Sequence, residues 1–292
     1  MNPVSRSLYS LHLAVMLLGF TALFSKIIPL SATDITFGRS IVASITLILL
    51  VKITKGSLKL HSLKDYGIAI LLGILMAVHW VTYFSAMQYS SVSVGMIALF
   101  TFPVITVFLE PFFEGIKLVW QDIFSAIVVF LGIFLIVPDI SLDNDTTLGI
   151  GIGILSAFLY ALRNLIHRKY FNHYSGAHAM AYQTLVIAAC LVFFISPNIA
   201  HASSSTLGLL VLLGTVCTAA PHALVAASLQ HLRAKTFSLV ACMQPFYGVI
   251  LAVIVIDEKP DWKTVLGGLL VISAAIYETV NAHKLHNLKS ER

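Results

Sequence analysis

The stretch "LFTFPVITVFLEPFFEG" runs from Leu99 to Gly115, and "ACMQPFYGVILAVIVIDEKP" runs from Ala241 to Pro260. Each is an apolar segment with an internal proline, Pro103 or Pro245. Each ends on acid, at Glu110 and Glu114 or at Asp257 and Glu258. Two designs produce this pattern: unusual core helices of a water-soluble protein, or one membrane-crossing unit used twice.

Composition decides between them. Hydrophobic residues make up 58% of the chain, charged residues 11%, and mean hydropathy is +0.92. A soluble domain carries about 25% charge, so this chain could not cover its own surface in water. It reads as an integral membrane protein in contact with the lipid bilayer. The net charge of +5 does not point to nucleic acid, because the charges cluster in short gaps between apolar runs. Cys190, Cys217 and Cys242 lie inside apolar runs without CxxC spacing, so they define no disulfide framework. The N-terminal apolar run is too long for a signal peptide and lacks a clear cleavage site; it reads as a retained first span.

About twenty helical residues cross a hydrocarbon layer of about 30 Å. Ten runs qualify: 8–28, 34–52, 66–87, 91–112, 120–138, 148–168, 177–196, 207–229, 236–256 and 262–281. Continuous apolarity makes them helices rather than strands of a closed barrel. With the N-terminus in the cytoplasm, fourteen of the eighteen Lys and Arg fall on the inside. Lys26, Lys259 and Lys263 fall outside, and Arg39 lies within the second span. This alternation follows the positive-inside rule and puts both termini in the cytoplasm.

A shift of 142 residues superposes Gln88 on Gln230, Pro103 on Pro245, Leu109 on Leu251 and Trp120 on Trp262. Each half then holds five spans. An odd number makes the second half enter the membrane inverted, a common transporter plan with the substrate site between the halves. The expected domains are residues 1–145 and 146–292. Proline lacks an N–H and clashes with the carbonyl four residues back. Pro103 and Pro245 are therefore expected to break paired helices around a cavity that receives the freed carbonyls.

"YFSAMQYSSVSVGMIALFTFPVITVFLEPFFEGIKL" (Tyr83–Leu118) resembles the repeat signature of EamA-type permeases of the drug/metabolite transporter superfamily. "FSLVACMQPFYGVILAVIVIDEKPDWKTVLGGLLVISAAIYE" (Phe237–Glu278) resembles its second copy, and "FGRSIVASITLILL" (Phe37–Leu50) also fits. The resemblance covers residues 8–281. It implies an all-α membrane fold of ten helices in two inverted five-helix repeats, with alternating access around a central cavity. Members of the family move small metabolites such as amino acids, or drugs, by import or export.

Ionisable and polar groups deep in lipid are costly, and each is a candidate for function. In "MAVHWVTYF", His79, Trp80 and Tyr83 can share one helical face. Aromatic rings there could enclose a solute, and His79 could carry a proton near neutral pH. His222 aligns with Trp80 at the 142-residue shift. Met243, Gln244 and Tyr247 flank Pro245, and Phe100 precedes Pro103. These residues form the expected substrate site, with His79, His222 and Glu110 as candidates for proton coupling. Arg39 and Arg163 are expected to snorkel to the membrane boundaries, with a buried counter-ion or structural role for Arg39 and a gate at Arg163 as the alternatives.

No P-loop is present, and "DISLDNDTT" (Asp139–Thr147) lacks the glycine and closing Glu of a calcium loop. His173 and His178 are poorly spaced as helix-borne metal ligands. No cofactor, metal or nucleic-acid partner is expected. The reading is a non-enzymatic secondary transporter of a small organic solute in the cell inner membrane; concentrative transport would draw on a proton, sodium or counter-solute gradient. The alternatives are a multi-span membrane enzyme acting on a lipid-linked substrate and a channel.

Overall fold

The computed structural model describes residues 3–54, 56–114, 118–137, 143–228 and 240–290. Lys55, Lys117, Asp139, Gln230, Arg233, Lys235 and Arg292, and the side chain of Glu114, lie outside the described residues. All regular structure within them is helical. The helices are α1 (Pro3–Thr21), α2 (Phe24–Ile27), α3 (Ala32–Ile53), α4 (Leu63–Tyr89), α5 (Val92–Leu99), α6 (Phe102–Glu114) and α7 (Trp120–Ile136). There follow α8 (Asp145–Tyr170), α9 (Gly176–Leu191), α10 (Ser204–Gly214), α11 (Ala220–Ser228), α12 (Gln244–Ile256) and α13 (Trp262–Ser290). Among the described residues, six stretches are long and apolar enough to cross a membrane, and four shorter apolar helices accompany them: Trp120–Ile136, Gly176–Leu191, Gln244–Ile256 and Trp262–Tyr277.

Local chemistry sets the helix starts. Ser31, Ser62, Ser91, Ser175 and Ser203 each accept from a backbone N–H three residues on, and Asn144 does so at α8. These side chains satisfy donors that a helix leaves unpaired at its first turn. At the other end of α12, Asp257 takes the left-handed conformation (φ 52°). Asp tolerates that region better than most residues because its short polar side chain can bond locally.

Several of the apolar stretches are interrupted. Phe100 and Thr101 separate α5 from α6, two residues ahead of Pro103. Cys242 and Met243 form the same kind of turn ahead of Pro245. A π-turn at Thr215–Ala219 joins α10 to α11. Pro221, just beyond it, has no N–H for the Cys217 carbonyl four residues back, and that carbonyl accepts from the Thr21 hydroxyl at 3.0 Å, at the end of α1. The freed backbone group thus finds a protein donor, as a lipid-embedded carbonyl requires.

The packing joins early helices to late ones. α4 lies on α8 and α9, α3 on α9 and α10, and α1 on α11 and α12; α5 and α6 lie on α8, α5 on α12, and α7 on α13. Lipid supplies little hydrophobic drive between helices, so close approach of small residues matters more. At the α7–α13 crossing a methyl group on Gly132 would sit 2.8 Å from the Gly267 carbonyl, and one on Gly267 would sit 2.5 Å from the Gly132 carbonyl. Outward faces stay apolar: Phe130, Phe134, Ile254 and Leu269 are exposed. Trp120 (69% exposed) and Trp262 (67%) stand at helix starts, where indole rings favour the membrane interface.

Candidate functional site

α4 presents His79, Trp80 and Tyr83 to the interior, and all three are buried. His79 Nδ1 lies 3.0 Å from the Ser156 carbonyl and 2.8 Å from the Ser156 hydroxyl on α8. That hydroxyl donates in turn to the His79 carbonyl at 3.0 Å. Its single proton is therefore used, so Nδ1–H is the donor to Ser156. Nε2 is left as the nitrogen able to accept a proton. The His79 ring stacks on Tyr160 at 4.8 Å, and Tyr160 meets Phe102 edge-on at 4.9 Å. Phe102 touches Phe100 at 5.5 Å, while Tyr83 lies 6.1 Å from His79 on the other side. A row of rings thus runs from the α5–α6 turn across α8 to α4.

Arg39 does not snorkel. It is only 3% exposed, and its guanidinium lies 3.7 Å over the Trp80 ring and 5.3 Å from the Phe84 ring. The face of an indole attracts a cation strongly in a dry setting, and this contact holds the charge inside. Arg163 also turns inward. Its Nε and Nη2 donate to Gln183 Oε1 at 2.8 and 2.6 Å, and Nη1 donates to Asn164 Oδ1 at 2.9 Å. Gln183 is fully buried on α9. Among the described residues, neither arginine has a carboxylate at ion-pair distance.

The other expected residues divide. His222, on α11, is half-buried and within the electrostatic reach of both Arg39 and Arg163, as is His79. Phe100 joins the ring row. Met243 and Tyr247 instead pack with Leu11, Val15 and Val225 beside α1, and the Tyr247 hydroxyl lies 3.1 Å from His12 Nδ1. Gln244 begins α12, and its carbonyl faces Gly19 of α1. Glu110 pairs with Arg168 at 2.7 Å near the end of α6, apart from the His79 cluster. Pro103 opens α6, and Pro245 lines a small apolar groove with Ser93, Ile97 and Gly268. Arg39, Ser156, Tyr160 and Phe102 are the additions to the expected set. Only Arg39 carried a sequence signal, a charge inside an apolar run.

Two polar networks close the helix ends. Glu258 accepts from the Val92 and Ser93 N–H groups at 3.0 and 2.9 Å, a carboxylate placed on the start of α5. Asp34 accepts from the Ser196 N–H and hydroxyl at 2.9 and 2.7 Å. Elsewhere, the Tyr174 hydroxyl donates to Asp65 at 3.0 Å and accepts from the His61 N–H at 2.7 Å. Burial raises the Tyr174 phenol above its ordinary pKa, which keeps it a donor.

Apolar helices with exposed lipid-compatible faces, around an interior of rings, histidines and arginines, define a multi-pass membrane protein. The EamA-like transporter family matches residues 6–137 and again residues 147–277. The chain belongs to the EamA-like transporter family. It is 22% identical to an uncharacterized transporter, YxxF, of Bacillus subtilis over 98% of this chain and 94% of that protein. It is 24% identical to a biotin transporter of Escherichia coli over 74% of this chain and 75% of that protein. It is 23% identical to an S-adenosylmethionine uptake transporter of Rickettsia conorii over 90% of this chain and 87% of that protein. A solved crystal structure covers 94% of this chain and 98% of its own, with a TM-score of 0.65 at 14% identity, a likeness of fold.

Proposed function

We propose that this protein is a secondary transporter of a small organic solute, held between two inverted five-helix repeats and exposed alternately to each side of the membrane. The observation that carries the reading is the His79–Ser156–Tyr160 cluster. It draws a titratable ring from the first half and its partners from the second, so relative motion of the halves must remake it. Ten spans, with domains at 1–145 and 146–292, are supported by the double family match. The packing also favours them. Exchanging each span with the one five places away turns α4·α8 into α11·α1, α4·α9 into α10·α3 and α6·α8 into α12·α1, and each of these pairs is in contact.

His79, Trp80, Tyr83, Phe100 and His222 form the substrate-facing set in this reading. Met243, Gln244 and Tyr247 form a second wall that moves with α1. His79 is the strongest candidate for coupling flux to protons through its free Nε2, with His222 in the same field. Glu110, held by Arg168, is the weakest candidate. Sodium is the alternative coupling ion. The Lys and Arg distribution favours an inner-membrane protein with both termini cytoplasmic. The relatives make biotin and S-adenosylmethionine the first probes.

The test is thermal stabilisation of purified protein by biotin, S-adenosylmethionine, amino acids, nucleosides and quaternary amines, followed by counterflow in liposomes. The expected result is saturable exchange of at least one stabilising solute. A stabilising solute that never crosses would point to a receptor, and flux that never saturates would point to a channel.

A further inference from the structure

Among the described residues, six buried side-chain polar atoms have no hydrogen-bond partner, and four belong to one locality: Arg39 Nε and Nη1, Thr36 Oγ1 and Tyr83 Oη. Thr36 and Arg39 are three apart on α3 and therefore neighbours on its surface. Tyr83 is one helical turn from Trp80, whose ring carries the guanidinium. Tyr83 also meets Phe84 edge-on at 5.5 Å, and the guanidinium lies 5.3 Å from the Phe84 ring. The two guanidinium N–H groups are donors only, and both hydroxyls can donate. The locality therefore offers donors on four atoms and one positive charge.

Leaving such groups unpaired away from water is costly, and an unpaired buried cation is more costly than a neutral group. A water molecule would meet the hydrogen bonds but leave the charge uncompensated. A carboxylate meets both needs: it carries the compensating charge, and its two oxygens can accept charge-assisted hydrogen bonds from a guanidinium N–H and from the hydroxyls beside it. Trp80 occupies one face of the guanidinium, so the N–H groups in its plane are the part left for such an anion. One guanidinium balances one negative charge, which favours a carboxylate over a doubly charged phosphate.

We infer that Arg39, with Tyr83 and Thr36, receives the carboxylate of the transported solute against the Trp80 ring. This rests on the transporter reading for its setting and adds to it the chemical class of the substrate.

The test compares matched acids and amides on purified full-length protein by calorimetry and thermal shift: biotin and biotinamide, benzoate and benzamide, L-phenylalanine and L-phenylalaninamide. At least one acid should bind about tenfold or more tightly than its amide. Arg39→Gln should abolish that preference, Arg39→Lys should keep part of it, and Tyr83→Phe should weaken acid binding severalfold. Should Arg39→Gln fail to fold, Tyr83→Phe and the wild-type preference decide. Equal binding of acid and amide in every pair, no binding by any acid, or unchanged acid binding in a folded Arg39→Gln protein would overturn the inference. An acid that binds through Arg39 but does not cross liposomes would leave this site standing and remove the transporter reading. An amide that binds and crosses as well as its acid would do the reverse.

Discussion

His79 and Ser156 exchange hydrogen bonds across α4 and α8, and each satisfies a backbone or side-chain group of the other. Replacing His79 with Ala removes the Nδ1 donor and should cost about 1–3 kcal/mol of stability. If Nε2 carries the coupled proton, the same change should alter the dependence of flux on pH. An unchanged pH profile in a folded His79→Ala protein would take this residue out of the coupling step. At the opposite kind of site, Glu258 places its carboxylate on two free N–H groups of α5. Glu258→Ala should destabilise the protein by about 1–2 kcal/mol, with Glu258→Gln intermediate, in denaturant titrations. Equal stability of all three would mean that solvent replaces this cap without loss.

Helices in lipid meet through small residues, and the α7–α13 crossing shows the consequence. Gly132 and Gly267 bring two backbones together with no room for a β-carbon. Gly267→Leu should destabilise by about 1–3 kcal/mol or more through overpacking. Gly151, on α8, has nothing within 4 Å of an added β-carbon, so Gly151→Ala should be neutral or slightly stabilising. Parallel melting curves of the two variants check both statements, and a Gly267→Leu protein as stable as wild type would show that the crossing can open. The paired interruptions before Pro103 and Pro245 belong to this scale too. A proline cannot extend a helix backward, so the break falls just upstream in both places.

Early and late helices pack against one another throughout the molecule, and the proposed topology can be tested directly. Reporter fusions at both chain ends and in the loops near residues 57–61 and 172–175 should report one side of the membrane. Fusions near residues 29–31, 197–203 and 258–261 should report the other. Chain ends on opposite sides would remove the inverted repeat and the alternating-access reading with it. The networks at Asp34–Ser196 and Asp65–Tyr174 tie the halves together, and a transporter must be able to release such ties in turn.

Helices are local, and so were the features legible in the sequence. The apolar runs and the two proline breaks both depend on residues within a few positions of one another. Membrane crossing followed from composition, because no other solvent suits so little charge. The position of Arg39 could not be read this way. A long cationic side chain near the end of a span reaches the boundary unless something inside holds it, and what holds it here is a ring on a different helix. The same applies to Ser156 beside His79, and to Glu258, which caps a helix from the other half of the chain. Those partners are set by which helix faces meet, and only the packed structure decides that.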